Sequence, residues 1–217
     1  MERKLKYIFY IIIFIISLLT RSIVLNHLAN KKENKNVIDT PLKDSLHDII
    51  PRVEGNNAII LGYIKEITTT IPFLFLFLFT IKEKNYKILF DFIKLFAIIL
   101  FIRTFSFYLT VLPDSSERCD PNITMSPNGA CHDLLFSGHT TFQILSILYL
   151  YYYSETWQKL PNTIKMNFML LIPANAYLIL ATRDHYSIDI LYAFIVTYSM
   201  FYFNHTCFKP GMLCIKD

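Results

Sequence analysis

Residues 163–203 read TIKMNFMLLIPANAYLILATRDHYSIDILYAFIVTYSMFYF. Two apolar runs, 163–181 and 186–203, are joined by the short polar segment 182–185. Each run is close to the roughly 20 residues that a helix needs to cross a hydrocarbon core. A turn this short makes the two helices antiparallel neighbours. Towards the amino terminus four more runs follow the same pattern, at 7–25, 58–81, 88–112 and 138–153. Of the 217 residues 53% are hydrophobic, with 19 Phe and 14 Tyr against 5 Gly, which is the composition of an integral membrane protein. The expected fold class is an all-α integral membrane protein of six transmembrane helices.

The first run, YIFYIIIFIISLLT from Tyr7, is longer than an ordinary signal core, and no A-x-A-like site follows it, so it reads as a retained span. The formal charge is +4, but Lys and Arg are scattered over the connecting segments. No basic stripe tracks a phosphate backbone, and nucleic acid is not an expected partner. With Arg3, Lys4 and Lys6 in the cytosol, segments 26–57, 113–137 and 182–185 face outward. Ten Lys and Arg then lie inside and eight outside, a weak positive-inside bias, while Lys65, Lys94 and Arg103 fall within runs. Asn122 and Thr124 form an N-glycosylation acceptor flanked by Cys119 and Cys131. An exoplasmic compartment would permit those thiols to pair; a chance triplet and free thiols are the alternative. The expected organisation is a first transmembrane helix with a short cytosolic start over 1–30, a five-helix core over 31–206 and a cytosolic tail at 207–217. Pro72 and Pro173 lie inside runs and are expected to kink them. The aromatic run Tyr149 to Tyr153 reads as an interface belt.

Chemistry concentrates in two places: Ser137-Gly138-His139 and the stretch from His185 to Asp189. Two crossings separate the histidines, so both return to one membrane face. Positions four apart share a helix face, so Asp189 can accept a hydrogen bond from one nitrogen of His185 and leave the other as nucleophile or base. A carboxylate inside a span is costly without such a partner. A His/Asp pair that merely locks two helices is the bland alternative. Ser137 suits the N-cap of the fourth run, and Gly138 lets a ligand approach the backbone, so the first turn offers free N–H groups and a positive dipole end to an anion. His139 beside that anion is placed to give or take a proton.

The blocks CHDLLFSGHTTFQILSILYL (131–150) and ATRDHYSIDILYAF (181–194) resemble the two signature blocks of the sphingomyelin synthase family, a branch of the type 2 phosphatidic acid phosphatase superfamily. TPLKDSLHDIIP (40–51) is similar to the family's first exoplasmic loop, and IRTFSFYLTVLPD (102–114) to its block closing the third span. The resemblance implies that His139, His185 and Asp189 form a catalytic triad. His185 would attack the phosphorus of a phospholipid head group and form a phosphohistidine, while His139 protonates the departing diacylglycerol and later deprotonates the acceptor hydroxyl. It implies no metal and no cofactor. The implied substrates are phosphatidylcholine or another glycerophospholipid as donor and ceramide as acceptor, with phosphocholine the expected head group. A second copy in a homodimer is a further partner considered. The implied location is the Golgi, endoplasmic reticulum or plasma membrane, with the site on the exoplasmic or lumenal face. A lipid phosphatase that uses water as acceptor, and a non-catalytic lipid-binding protein, are the alternatives.

The family usually has Cys-Gly-Asp where this chain has Cys131-His132-Asp133, so His132 is either a solvated loop residue or a head-group contact. Asp133 joins Ser137, Gly138, Arg103 and Arg183 as the expected substrate-binding set. Glu66 and Arg103 each stand about nine residues from the outer end of a run, roughly 13 Å deep, so an ion pair between them is feasible, either bordering the head-group pocket or purely structural. Lys65 is expected to snorkel outward and Lys94 inward. Arg183 reads either as a bidentate clamp on a phosphoryl oxygen or as an interfacial anchor.

Overall fold

The computed structural model describes residues 2–33, 41–110, 112–113, 115 and 134–207. Each of the six apolar runs falls in a long helix: α1 (Glu2–Glu33), α3 (Gly55–Glu83), α4 (Lys87–Leu109), α5 (Gly138–Tyr153), α7 (Asn162–Ala181) and α8 (Ser187–Cys207). Two short helices, α2 (Ser45–Ile49) and α6 (Glu155–Gln158), sit in connecting segments. No strand occurs among the described residues. The molecule is an all-helical membrane protein. By length and hydropathy alone, three helices suffice to cross a bilayer: α1 over Leu5–His27, α3 and α7. α4 stops at Leu109, short of the expected residue 112, and its end is capped by the Thr110 N–H on the Ser106 carbonyl.

α5 is the hub, touching α3, α4, α6, α7 and α8. Its 16 residues are fewer than the roughly 20 of a bare span, but its neighbours enclose it. A helix surrounded by protein on all sides can carry polar groups that lipid would reject, provided each is satisfied. Thr141 and Ser146 donate to the carbonyls of Ser137 and Phe142 one turn back, and both are fully buried. Tyr149 departs from the expected belt: it is 1% exposed and packs edge-on against Phe92 and Phe201, whereas Tyr151 and Tyr152 stay outside.

α1 packs chiefly on α4, with Tyr7 stacked on Phe90 at 4.0 Å and Leu25 buried beside Phe107. Phe14 and Val24 also pack inward, on Phe96 and on the Leu25–Phe107 pair, while Leu5, Ile8, Phe9, Ile12 and Leu19 point outward, as a lipid-facing helix requires. Pro72 and Pro173 are accommodated inside α3 and α7 without ending either helix.

The connecting segments gather at two ends. At one end the Val53 N–H donates to the Ala181 carbonyl at 3.0 Å, Tyr186 hydroxyl accepts from the Leu42 N–H and donates to the Pro113 carbonyl, and Ser115 donates to the Arg183 carbonyl. At the other, Glu83 accepts from the Ser154 hydroxyl and the Thr156 N–H, and Trp157 is buried edge-on against Phe168. Both histidine motifs lie at the first end.

Candidate active site

The starts of α5 and α8 are tied together before any substrate is considered. Asp189 is fully buried in the first turn of α8. One carboxylate oxygen accepts from His185 Nδ1 at 3.2 Å and from the Tyr186 N–H at 3.0 Å, and the other accepts from the Leu135 N–H at 3.0 Å. The Asp189 carbonyl accepts from the Ser137 N–H at 3.2 Å. Leu135 has a φ of +81°, a backbone state that costs a side-chain-bearing residue on the order of 1 kcal/mol or more, and its bond to Asp189 holds it there. Asp189 therefore does two things: it holds His185 through Nδ1, leaving Nε2 clear of that carboxylate, and it anchors the loop that begins α5.

Ser137 is the N-cap of α5, its hydroxyl accepting from the Thr140 N–H at 3.3 Å and the Thr140 hydroxyl at 3.0 Å. Gly138 follows, and the close neighbour of its backbone is the Arg103 guanidinium: a Cβ placed there would meet Arg103 Cζ at 3.4 Å. Arg103, only 3% exposed, donates Nε to the Phe136 carbonyl at 2.6 Å. A buried guanidinium thus lies across the amino end of α5, and the two positive ends coincide at a place that favours an anion.

His139 makes a second pair that crosses helices. Its Nε2 lies 2.8 Å from a carboxylate oxygen of Glu66 in α3. The expected Glu66–Arg103 ion pair is replaced: the ion-pair partners of Glu66 are His139 and Lys65, because Arg103 turns to the Phe136 carbonyl and the first turn of α5. Lys65 does not snorkel. It is 2% exposed, and its Nζ sits 2.5 Å from Asp184 and 3.6 Å from Glu66, drawn inward by two carboxylates. Asp184 also accepts from the Thr182 hydroxyl at 2.8 Å. Lys65 and Asp184 were not among the expected site residues, although a Lys-Glu doublet in the middle of an apolar run signals function or pairing by its cost alone.

Arg183 is held with φ +58° and donates to the carbonyls of Leu180, His47 and Ile50 at 2.6, 2.7 and 2.9 Å. These bonds clamp the segment containing α2 onto the α7–α8 turn. Burial, and then the neighbouring Arg52 charge, lowers the Arg183 pKa from its ordinary value. The same segment brings His47 Nε2 to 3.1 Å from the His185 carbonyl and stacks the His47 ring on Tyr186 at 5.7 Å. Burial lowers the His47 pKa, and the positive Arg183 adds to that against the pull of the His185 carbonyl. Asp44 caps two helices at once, accepting from the Leu46 N–H at 2.9 Å and the Ser187 N–H at 2.6 Å. Burial pushes the Asp44 carboxyl up, but these N–H bonds outweigh it and hold it below the ordinary value.

Asp133, His132, Cys119, Cys131 and the Asn122 acceptor lie outside the described residues. Among the described residues no cluster of His, Cys, Asp and Glu is arranged to hold a metal ion.

Residues 130–206 match the family model described as PAP2 superfamily C-terminal. Three curated relatives are similar to parts of the chain. A phosphatidylinositol:ceramide inositolphosphotransferase of Leishmania major is 31% identical over 127 residues, covering 50% of this chain and 37% of the relative. Phosphatidylinositol:ceramide inositolphosphotransferase 2 of Arabidopsis thaliana is 28% identical over 160 residues, covering 61% and 50%. The Trypanosoma cruzi (strain CL Brener) phosphatidylinositol:ceramide inositolphosphotransferase is 30% identical over 123 residues, covering 49% and 35%. The chain spans half or less of the length of each of these relatives. The matches support the PAP2 superfamily for the part of the chain that carries Ser137, Gly138, His139, His185 and Asp189, and similarity to phosphatidylinositol:ceramide inositolphosphotransferases.

Proposed function

We propose that the chain moves a phospho-head-group from a glycerophospholipid to ceramide through a phosphohistidine on His185. The observation that carries this reading is the presence of two histidine–carboxylate pairs that use opposite ring nitrogens, His185 through Nδ1 and His139 through Nε2. With Asp189 accepting from Nδ1–H, the lone pair on His185 Nε2 attacks phosphorus. The P–N bond forms, the bond from phosphorus to the diacylglycerol oxygen breaks, and that oxygen takes a proton from His139 Nδ1. Ceramide then gives its hydroxyl proton to the same nitrogen, its oxygen attacks phosphorus, and the P–N bond breaks. Glu66, accepting from His139 Nε2–H, keeps the ring turned so that Nδ1 gives a proton in the first half and takes one back in the second. Arg103 and the amino end of α5 neutralise the phosphoryl oxygens. Ser137 and Gly138 supply the cap and the close approach, and Asp133 remains in the substrate-binding set.

In this reading 1–30 is a first span, 31–206 the catalytic core, and the site faces the exoplasmic or lumenal side. Phosphocholine is the head group implied by the sequence resemblance. The three relatives, all phosphatidylinositol:ceramide inositolphosphotransferases, favour inositol phosphate instead. The test is the chain reconstituted in vesicles with labelled ceramide and phosphatidylcholine, phosphatidylethanolamine or phosphatidylinositol as sole donor. Labelled phosphosphingolipid from one donor, abolished in His185→Ala, is the expected result. Release of the free phospho-alcohol without a sphingolipid product would convert the reading to a hydrolase, and equal turnover by the His185→Ala protein would end it.

A further inference from the structure

Below the site, towards the centre of the bundle, lies a buried polar group that the chemistry above does not use. Gln143 is fully buried on α5, one turn after His139 and on the same helix face. Its carboxamide nitrogen donates to the carbonyls of Thr68 and Leu171, each at 3.1 Å, and its oxygen accepts from Asn175 Nδ2 at 3.3 Å. Asn175, 1% exposed, also donates to the Thr69 hydroxyl at 3.1 Å and accepts from the Thr68 hydroxyl at 3.3 Å. The choice of Thr68 as acceptor has a cause in α3. A helical carbonyl is normally served by the N–H four residues on, and four residues after Thr68 stands Pro72, which has none. In lipid no water replaces that donor, so the freed carbonyl must be answered by protein. Gln143 answers it from another helix.

The pairing joins two elements one turn from the place where they must meet. Lys65 and Glu66 precede Thr68 on α3, and His139 precedes Gln143 on α5. We propose that Gln143 is a positioning residue for His139: together with Pro72 it sets α3 against α5 so that Glu66 meets the His139 ring. Its catalytic meaning rests on the transferase reading above; its structural content does not.

The experiment uses the full chain in vesicles, with Gln143→Leu, Pro72→Ala, Glu66→Gln and their combinations. Pro72→Ala guards against misfolding of the Gln143 variant, since an alanine at that position returns an N–H to the Thr68 carbonyl and removes the need for an outside donor. The first readout is independent of turnover: the ¹⁵N resonance of the His139 ring, assigned by its loss in His139→Ala. It is expected to move in Gln143→Leu and Pro72→Ala in the same sense as in Glu66→Gln. The second is kinetic: kcat falls about tenfold in Gln143→Leu and in Pro72→Ala while KM for the donor stays within about twofold, and neither change lowers the rate further in the Glu66→Gln background. An unmoved His139 resonance, or losses that multiply with Glu66→Gln, would overturn the proposal. Movement of the resonance in a chain that transfers no head group would leave the positioning intact and count against the transferase reading alone.

Discussion

The two histidine–carboxylate pairs are built in opposite ways. His185 and Asp189 are four residues apart in one chain segment, and both are buried, at 8% and 0% side-chain exposure. His139 and Glu66 are 73 positions apart on different helices and lie more open, at 26% and 51%. The first pair is fixed by local geometry and by the N–H groups of Tyr186 and Leu135, which share the same carboxylate. The second depends on how α3 sits against α5. In the proposed transfer the nucleophile needs one unvarying aim, which a buried local pair supplies. A group that must receive a proton, hold it and return it needs access, which the open pair supplies.

Breaking the local pair is expected to have the largest effect. Asp189→Asn should lower transfer on the order of 10³-fold or more, because the amide no longer enforces the His185 tautomer. Phosphohistidine trapped by acid-free quench should vanish with it, and persistence of the trapped species would show that Asp189 is not the orienting group.

Breaking the open pair should cost less. Glu66→Gln is expected to lower kcat by about 10²-fold with phosphohistidine still forming, since general acid–base help contributes on that scale. A loss equal to that of Asp189→Asn would mean that the two pairs act as one unit.

Lys65 links Glu66 to Asp184, the residue before His185, so Lys65→Met should act on stability first. Removing one partner of a buried ion pair costs about 3 kcal/mol, and Lys65→Met with Asp184→Leu should recover much of it. Thermal unfolding in detergent reads both, and a double variant no better than the single one would exclude the pair as the cause.

The smallest expected effect concerns the segment 41–54 that covers the His185 turn. The pKa values of His47 and Asp44 are both lowered in the fold, so the unfolded segment binds more protons and docking weakens as pH falls. The His47 contribution is present above its unfolded value of about 6.5 and is lost below it; the Asp44 contribution goes only below about pH 4. Once the intrinsic pH dependence of exchange is divided out, the protection of 41–54 against hydrogen exchange should therefore fall as pH drops from about 7.5 to 5.5, and His47→Gln should flatten that step.

Much of this is legible in the residues. Six runs in six long helices follow from hydropathy and length, and Ser137 as an N-cap follows from its place before a run. The His185–Asp189 bond follows from a spacing of four. The direction of Lys65 is not legible, because position along a helix gives depth but not rotation: the same residue can snorkel outward or turn to Asp184. Arg103 and Glu66, equal in depth, invite pairing on that ground alone, yet they face different partners. Arg183 stands open in the sequence between a phosphoryl clamp and an anchor, and in the fold its guanidinium is committed to three carbonyls.

The helices, their order and the one pair written within a single turn follow from the residues alone, because those depend on neighbours close in the chain. It takes the assembled bundle to set Glu66 on His139, Lys65 on Asp184, and Gln143 on the carbonyl freed by Pro72. In a soluble bundle the apolar stripe tells each helix which way to turn. Here nearly every face is apolar, so rotation about each helix axis is set by a few buried polar contacts, and these exist only once the helices have met.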